Sequence, residues 1–331
     1  MSWRVLITSR VFTSVGKSAL ELLQKSDCEI VMSEPFGPLK IDALLPQLDG
    51  ADATLCSPDQ YNAAALQSPA AGRLKLISRW GVGYDSIDVA EATRRGIVVA
   101  YTPGMLNETV ADWTWALLLA IARRVPQGHF SVSNGGWTNY WGHDVHGKTL
   151  GLIGCGRIGQ AVAKRAAGFD MRVLGYDIAP CQEKTNIDFV SLDQLLAESD
   201  FVSLHAALTP GNRGLIGEAQ LRKMKPSAYL INTARGPLIN DEALTRALQE
   251  EWIAGAALDV FAIEPLPPDS PLRTAPNLVL TPHQASFARE TAERVTFAAA
   301  QAIVDLMRGQ KPRWVVDSSV YSSSNLRAKL S

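Results

Sequence analysis

Short β-branched and apolar runs alternate with amphipathic stretches along the first hundred residues. Continuous apolar strands separated by helices are typical of a parallel sheet that is covered on both faces. The pattern therefore predicts a small doubly wound α/β domain over residues 1–100. Its predicted strands are residues 5–8, 29–32, 53–56, 74–78 and 97–100.

A second series of apolar runs predicts a second parallel sheet. The segment from Thr149 to Asp177 has the pattern of a strand, a glycine turn, a helix and another strand that closes on an acid. Further strands are predicted at 201–205, 228–233, 254–260 and 278–283. The predicted fold class is thus α/β, with two doubly wound parallel-sheet domains.

Two long helices are predicted outside these sheets. Residues 107–125, with Asn107 as N-cap and Pro126 after the end, are apolar on nearly every face, which indicates burial on several sides. We expect this helix to link the two domains and to pack against a second subunit. Residues 127–148 are expected to form an irregular loop or arm. Residues 287–309 are expected to form the second long helix, which is amphipathic and precedes a short Ser-rich tail.

Composition and charge narrow the classes of function. The 331 residues are 47% hydrophobic and 20% charged, with a net charge of −1, so neither a nucleic-acid nor a membrane surface is indicated. The longest apolar run, at 114–122, is too short to cross a bilayer, and the N-terminus has no signal-peptide pattern. We therefore expect a cytoplasmic protein with no nucleic-acid or membrane partner.

The sequence indicates no metal site. Two arm histidines, His143 and His146, have no third ligand, so we expect solvated loop histidines. The cysteines have no ligand-like spacing and are expected to be reduced packing residues; they are Cys28, Cys56, Cys155 and Cys181. Because Cys155 lies inside the glycine turn, its oxidation could block a cofactor, and this regulatory idea stays open.

The glycine turn predicts a dinucleotide site. Gly154 allows the tight turn, Gly156 lets the backbone approach a pyrophosphate, and Gly159 lets helix pack on strand. The helix N-terminus then offers unpaired N–H groups to the phosphates. Asp177, at the end of the next strand, is placed to accept hydrogen bonds from an adenosine ribose. Its charge would repel a 2′-phosphate, so we predict NAD rather than NADP.

Polar residues follow the carboxyl ends of the later strands, where open parallel sheets bind ligands. A histidine suits proton donation to a developing alkoxide, and a carboxylate such as Glu264 near His283 would favour its protonated form. Arg235 could hold a substrate carboxylate through two parallel hydrogen bonds. The set therefore predicts hydride transfer to a 2-oxo acid, although each residue alone could be an ion pair, a cap or a turn residue. Its members are His205, Thr233, Arg235, Asp259, Glu264 and His283.

The segment Arg79–Asp88 follows the fourth strand of the first domain. Gly81 and Gly83 can turn successive backbone N–H groups toward one point, which would form an anion nest suited to a carboxylate. The alternative is a strand-to-helix turn capped by Asp85 or Ser86. Both interpretations remain open from this segment alone.

Motifs along nearly the whole chain resemble the D-2-hydroxyacid dehydrogenase family, which includes phosphoglycerate dehydrogenases and glyoxylate/hydroxypyruvate reductases. Their order and spacing make the resemblance far more specific than the glycine turn alone. They are RWGVGYDSID, NETVADW, GKTLGLIGCGRIG, HAALTPGNRGLI, LINTARGPLIND, ALDVFAIEPLP and LTPHQAS.

The resemblance implies roles for several residues. Arg235 corresponds to the family's catalytic arginine, Glu264 to its acid and His283 to its proton donor. The substrate, a small 2-oxo or 2-hydroxy acid, is expected to bind Arg235 and the loop at Val82 and Gly83. Asp259 corresponds to the family's contact with the nicotinamide carboxamide. The expected NAD-binding set is Gly154, Gly156, Arg157, Ile158, Gly159, Asp177, His205, Thr233, Ala234 and Asp259.

The resemblance also implies a domain organisation. Residues 1–103 plus 285–331 are expected to form a flavodoxin-like substrate domain, and residues 104–284 a Rossmann NAD domain. A homodimer is expected through the arm and the long helix.

Two departures weaken a phosphoglycerate assignment without excluding it. Cys56, Ser57 and Pro58 stand where human-type phosphoglycerate dehydrogenases carry an arginine for the substrate phosphate, and no C-terminal serine-sensing domain is expected. Arg79, Arg123 or a partner's arm could supply the missing charge.

Two other functions remain as alternatives. One is a formate or phosphite dehydrogenase, although formate dehydrogenases of this fold have Gln where Glu264 stands. The other is an NAD-sensing binding module similar to the C-terminal-binding-protein corepressors, which carry long disordered tails. Turnover of any 2-oxo acid would separate the enzyme from the binding module.

Overall fold

The computed structural model describes residues 2–180 and 186–331, so Cys181 lies outside the described residues. The chain forms two compact units. The first unit runs to Leu106 and resumes at Phe287–Ser331, and the second unit is Asn107–Ser286. The first unit is therefore discontinuous in sequence.

The first unit contains a parallel sheet of five described strands in the order β2-β1-β3-β4-β5, which is a flavodoxin-like order. The strands are β1 Arg4–Ile7, β2 Glu29–Met32, β3 Ala53–Cys56, β4 Leu76–Arg79 and β5 Val98–Ala100. Every residue of β3, β4 and β5 is buried, as expected for strands covered on both faces. The helices are α1 Phe12–Val15, α2 Lys17–Lys25, α3 Ile41–Leu48, α4 Ala63–Gln67, α5 Val89–Arg94 and, after the return of the chain, α12 Arg289–Met307.

Helix α12 joins this sheet because one of its faces is apolar. Val295, Ala299 and Ile303 are spaced by four residues and are fully buried against β4 and α2. Two hydrogen bonds fix the helix on the sheet, from Ser78 Oγ to the Ala299 carbonyl (2.7 Å) and from Trp80 Nε1 to Thr296 Oγ1 (2.8 Å). The carboxyl end of β4 is thereby held in place.

The second unit contains a parallel sheet in the order β12-β11-β10-β9-β6-β7-β8. The strand order reverses between β6 and β9, and in doubly wound sheets this switch point, at the carboxyl ends of the strands, binds the ligand. The strands are β6 Thr149–Ile153, β7 Arg172–Tyr176, β8 Asp188–Phe189, β9 Phe201–Leu204, β10 Tyr229–Asn232, β11 Gly255–Leu258 and β12 Leu278–Leu280. The helices are α6 Asn107–Ala122, α7 Val125–Ser133, α8 Arg157–Ala166, α9 Leu192–Glu198, α10 Glu218–Leu221 and α11 Asp241–Gln249. The predicted fold class is confirmed.

The helix predicted over 107–125 is shorter than expected, and its N-cap was misplaced. Asn107 is the first helical residue, and the helix ends at Ala122. Arg124 then adopts a left-handed conformation (φ 55°), and a new helix begins at Val125 with Pro126 in its first turn. Proline is favoured at that position because its missing N–H would have no partner there. The prediction of an irregular arm is thus wrong as far as Ser133.

Among the described residues, no helix combines the length and the apolar character needed to cross a membrane.

Candidate active site

The glycine turn between β6 and α8 has the geometry of a phosphate cradle. Gly154 has φ +93°, and a Cβ there would lie 2.4 Å from the Ala206 nitrogen. A Cβ on Gly159 would lie 2.2 Å from the Gly154 carbonyl oxygen, so this glycine lets the helix approach the strand. Around Gly156 nothing lies within 4 Å of the added atom, and no side chain caps α8. An open, uncapped helix N-terminus is suited to a pyrophosphate.

Asp177 lies directly after β7 and is half-buried. One carboxylate oxygen accepts the Cys155 N–H (2.7 Å) and the other accepts the Ala179 N–H (2.9 Å). The carboxylate therefore fixes the glycine turn, and each of its oxygens has further lone pairs for a ribose hydroxyl.

Cys155 is buried in the glycine turn, with its Sγ 3.7 Å from the Leu152 carbonyl oxygen. Burial, together with the nearby Asp177 charge, raises the pKa of the Cys155 thiol to about 12. Because the thiolate is the form that reacts with oxidants, this structure argues against the redox switch considered from the sequence.

His283 and Glu264 form a close pair in the second unit, with 2.7 Å between Nδ1 and Oε2. The other Glu264 oxygen accepts the Phe261 N–H (3.0 Å). Burial alone would raise the pKa of Glu264. The hydrogen bond and charge of His283, the Phe261 N–H and the charge of Arg235 outweigh burial and lower this pKa. Glu264 is therefore ionised, and it holds one ring nitrogen of His283 while leaving Nε2 on the other side of the ring.

Asp259 organises the loop that carries His283. Its carboxylate is completely buried and accepts hydrogen bonds from four donors. Its backbone carbonyl also accepts the His283 N–H (2.8 Å), and His283 itself adopts a left-handed conformation (φ 50°). The four donors are Trp113 Nε1 (3.2 Å), Thr281 Oγ1 (2.6 Å), Gln284 N (3.0 Å) and Ala285 N (2.8 Å).

Asn232 holds the turn of Arg235 in the same way, although the sequence analysis did not single it out. Its side chain accepts the Ala234 N–H (3.0 Å) and donates to the Arg235 carbonyl (2.9 Å), while Arg235 Nη1 donates to the Ala234 carbonyl (2.8 Å). Gly236 packs directly on Phe261, whose carbonyl carbon would lie 1.9 Å from an added Cβ. The turns that carry Arg235 and Glu264 are thus in contact. The available signal in the sequence was an Asn at the end of an apolar run, directly before the turn that carries Arg235.

Comparison with known proteins agrees with this geometry. The sequence profile of the D-isomer specific 2-hydroxyacid dehydrogenase, NAD binding domain, matches residues 115–285. A glyoxylate reductase of Thermofilum pendens is 43% identical over 96% of this chain and 95% of its own length. The chain belongs to the D-isomer specific 2-hydroxyacid dehydrogenase family.

Two further relatives cover much of this dehydrogenase. A glyoxylate reductase of Korarchaeum cryptofilum is 48% identical over 76% of this chain and 78% of its own. A crystal structure of a Thermus thermophilus protein is 41% identical and has a TM-score of 0.86, over 95% of this chain and all of that one. The protein is an NAD-dependent oxidoreductase acting on 2-hydroxy and 2-oxo acids, which confirms the predicted family, reaction class and cofactor.

The other residues predicted to bind NAD lie along the same sheet edge of the dehydrogenase. Arg157 is exposed and Ile158 half-buried in the first turn of α8. Thr233 is buried, with its hydroxyl 2.9 Å from that of Thr114. His205 Nε2 pairs with Ser203 Oγ (2.9 Å), and burial lowers the pKa of His205 to about 3, so its ring is neutral.

In the first unit, residues 80–83, which we call the carboxylate loop, are held from both sides. Gly81 has φ +120° and donates its N–H to Thr102 Oγ1 (3.1 Å), so this N–H is not part of the expected nest. In the described part of the chain, the N–H groups of Val82 and Gly83 donate to no protein acceptor. The alternative caps Asp85 and Ser86 were wrong, since Asp88 caps α5 by accepting the Glu91 N–H (2.9 Å).

No group of three or more His, Cys, Asp or Glu side chains among residues 2–180 and 186–331 could hold a metal ion. His143 is exposed and lies against the Tyr229 ring, with 5.8 Å between centroids. His146 is also exposed, 3.6 Å from the carboxylate of Asp170. Each arm histidine thus has its own neighbours.

Proposed function

We propose that this dehydrogenase reduces glyoxylate, or a 2-oxo acid of similar size, with His283 as the proton donor. The observation that carries the proposal is the 2.7 Å pair of His283 and an ionised Glu264, next to the charge of Arg235. The names of the two glyoxylate reductase relatives support the choice of substrate.

In the proposed reaction, each of several residues of the second unit has a separate role. NADH, when bound at the glycine turn, supplies the hydride that reaches the carbonyl carbon. Charge then develops on the carbonyl oxygen, and His283 Nε2 donates a proton to it while Glu264 stabilises the imidazolium through Nδ1. Arg235 binds the substrate carboxylate and orients the carbonyl. Asp259 keeps the His283 loop in position.

For the first unit, we propose that Val82 and Gly83 are substrate-binding residues. The N–H groups of Val82 and Gly83 suit an anion because they have no protein acceptor in the described chain. On this proposal, residues 1–103 plus 285–331 form the substrate domain and residues 104–284 form the NAD-binding domain.

The residues that follow β3 favour a small substrate without phosphate. They lie beside the carboxylate loop, because the Trp80 N–H donates to the carbonyl of Cys56, the last residue of β3 (3.0 Å). The side chains there are buried Cys56 and Ser57, followed by Asp59, whose carboxylate accepts the Leu39 N–H (2.7 Å). Residues 56–59 carry no basic side chain that could pair with the phosphate of a phosphoglycerate-type substrate.

Exposed apolar side chains within residues 127–148 support a homodimer. Phe130, Trp137 and Trp141 are 68%, 84% and 96% exposed, and burial of such side chains against a partner is favourable. A second copy of the chain is the proposed partner. Size-exclusion chromatography with light scattering tests this, and a monomeric wild type would contradict it.

The test of function is NADH oxidation by the purified protein with glyoxylate, pyruvate, hydroxypyruvate, phosphohydroxypyruvate and bulkier 2-oxo acids. We expect the highest kcat/KM with glyoxylate and at least a tenfold preference over phosphohydroxypyruvate. His283→Asn should lower kcat by roughly 100-fold or more, the contribution typical of a general acid, and leave NADH binding intact. Preference for the phosphorylated acid would refute the substrate assignment, and substantial activity of His283→Asn would refute the proton donor.

A further inference from the structure

The carboxylate loop is anchored by one buried side chain at its start. Arg79 is the last residue of β4 and is only 8% exposed. Its Nε donates to the Gly83 carbonyl (2.9 Å), and its Nη1 donates to the carbonyl of the adjacent Trp80. One guanidinium therefore ties together the two ends of the loop, with separate N–H donors of its planar fork bound to the two carbonyls.

The middle of the loop is fixed from the side of β5. Thr102 is buried, accepts the Gly81 N–H through Oγ1 (3.1 Å) and donates its own N–H to the Gly81 carbonyl (3.0 Å). A Cβ on Gly81 would come within 3.4 Å of Arg79 Nη1. The carbonyls of Trp80, Gly81 and Gly83 all accept hydrogen bonds, so several contacts fix the conformation of the loop.

We infer that Arg79 is a positioning residue for substrate binding, because it holds the loop so that the N–H groups of Val82 and Gly83 can receive the substrate carboxylate. This inference rests on the proposed function of the loop. Arg79 acts through the loop backbone and in addition places a buried positive charge beneath an anion site. Its loss should weaken substrate affinity and leave both the NADH site and the proton donor unchanged, since those lie in the second unit.

The test compares Arg79→Met and Arg79→Lys with wild type in steady-state glyoxylate reduction. Loss of two hydrogen bonds that preorganise the loop should raise KM for glyoxylate about 10- to 100-fold in Arg79→Met. Lysine keeps the charge but lacks the planar guanidinium. The KM of Arg79→Lys for glyoxylate should therefore lie between those of wild type and Arg79→Met. The kcat at saturating glyoxylate and the KM for NADH should stay within about threefold and twofold of wild type.

Arg327 offers a matched control in the same unit. Its Nη1 also binds backbone carbonyls, those of Ala71 (2.6 Å), Gly72 (3.2 Å) and Leu74 (2.9 Å). Arg327→Met therefore removes a similar anchor at another place, and it should lower Tm without raising KM for glyoxylate. If both variants raise KM equally, or if folded Arg79→Met keeps the wild-type KM, the inference is overturned.

Two measurements separate this inference from the proposed function. Wild-type turnover of glyoxylate tests the function, and Val82→Pro, which removes one loop N–H outright, tests the loop as carboxylate site. A raised KM in Val82→Pro with a wild-type KM in Arg79→Met would sink the role of Arg79 alone. A wild-type KM in Val82→Pro would sink the loop assignment. If Arg79→Met does not fold, Thr102→Val removes the opposite anchor without a change of charge, and it should raise KM in the same direction.

Discussion

The pair of His283 and Glu264 makes the clearest quantitative prediction. Replacing Glu264 by Gln keeps an acceptor oxygen of the same reach but removes the negative charge 2.7 Å from Nδ1. The amide can still orient the ring, so the change isolates the electrostatic contribution. The proposed proton donor then lacks the negative charge beside it, and we expect glyoxylate reduction to slow down.

The magnitude follows from the strength of the lost contact. Hydrogen bonds that involve a charged group contribute about 1.5 to 3 kcal/mol and neutral ones about 0.5 to 1.5, so the substitution costs roughly 1 to 1.5 kcal/mol. The His283 and Glu264 side chains are 37% and 28% exposed, and solvent screening favours the lower end of that range. Since 1.36 kcal/mol corresponds to a tenfold change in rate, kcat/KM for glyoxylate reduction should fall by about 5- to 10-fold in Glu264→Gln.

The same pair also makes the stability of the fold depend on acid pH. The pKa of Glu264 is lowered from 4.5, so the stability contributed by the pair is present above that value and is lost as the pH falls through the lower, folded-state pKa. Glu264→Gln should remove this part of the acid dependence of unfolding.

The assay is kcat/KM for glyoxylate reduction, followed through NADH absorbance at one fixed pH, for wild type and Glu264→Gln. Glu218→Gln serves as control, because Glu218 is a surface carboxylate of the same unit that pairs with Arg222 and Arg246. We expect the kcat/KM of this control to match wild type. A wild-type kcat/KM in Glu264→Gln, in a folded protein that binds NADH normally, would refute the electrostatic role of the pair.

Three further substitutions or labelling experiments test other parts of the site. Asp259→Asn places an amide N–H₂ among the four donors that bind the carboxylate, so it should lower the free energy of unfolding by about 2 to 4 kcal/mol and reduce kcat. Wild-type stability in urea would show that Asp259 does not hold the His283 loop. Asp177→Ala should weaken NADH far more than NADPH in calorimetric titrations, and an unchanged ratio of the two Kd values would remove Asp177 from the ribose role. Cys155, whose pKa burial raises to about 12, should stay unlabelled by iodoacetamide at pH 8 until the protein is unfolded, and rapid labelling of native protein, mapped by mass spectrometry, would show that the turn opens.

The parts of this fold that the sequence predicted are those set by local rules. Apolar runs of four or five residues found the strands, and the glycine spacing found the turn, because Gly154 and Gly159 occupy positions where a side chain would collide with backbone. The strand-end rule selected Arg235, Glu264 and His283 as candidates, since parallel strands deliver their following residues to one edge, and the structure brings Glu264 and His283 into hydrogen-bond contact. Each of these inferences needs only the chemistry of the residue and its neighbours.

The supports of the site escaped prediction. The predicted contact of Asp259 with the nicotinamide stays a prediction, but the bonds of its carboxylate with Trp113, from more than a hundred residues earlier in the chain, and with the loop after β12 could not be read from the sequence. Asn232 passed unnoticed although its partners are the neighbouring Ala234 and Arg235, because we did not consider side-chain clamps inside apolar strands. Proline after the first long helix was taken as its end, although it also begins α7.

The proposed catalytic groups and their supports differ in how they are attached to the fold, and this difference has a functional consequence. His283 and Glu264 are partly exposed, but the atoms that hold them, the Asp259 carboxylate and the Phe261 N–H, are buried or nearly so. A reacting side chain has to meet solvent and substrate, and its freedom is removed by fixing the backbone beneath it. The carboxylate loop is similar, because its N–H groups can exchange hydrogen bonds with solvent or substrate while the buried Arg79 holds its backbone. Substitutions in the buried supports should therefore alter substrate binding or turnover while every group that contacts the substrate remains in place.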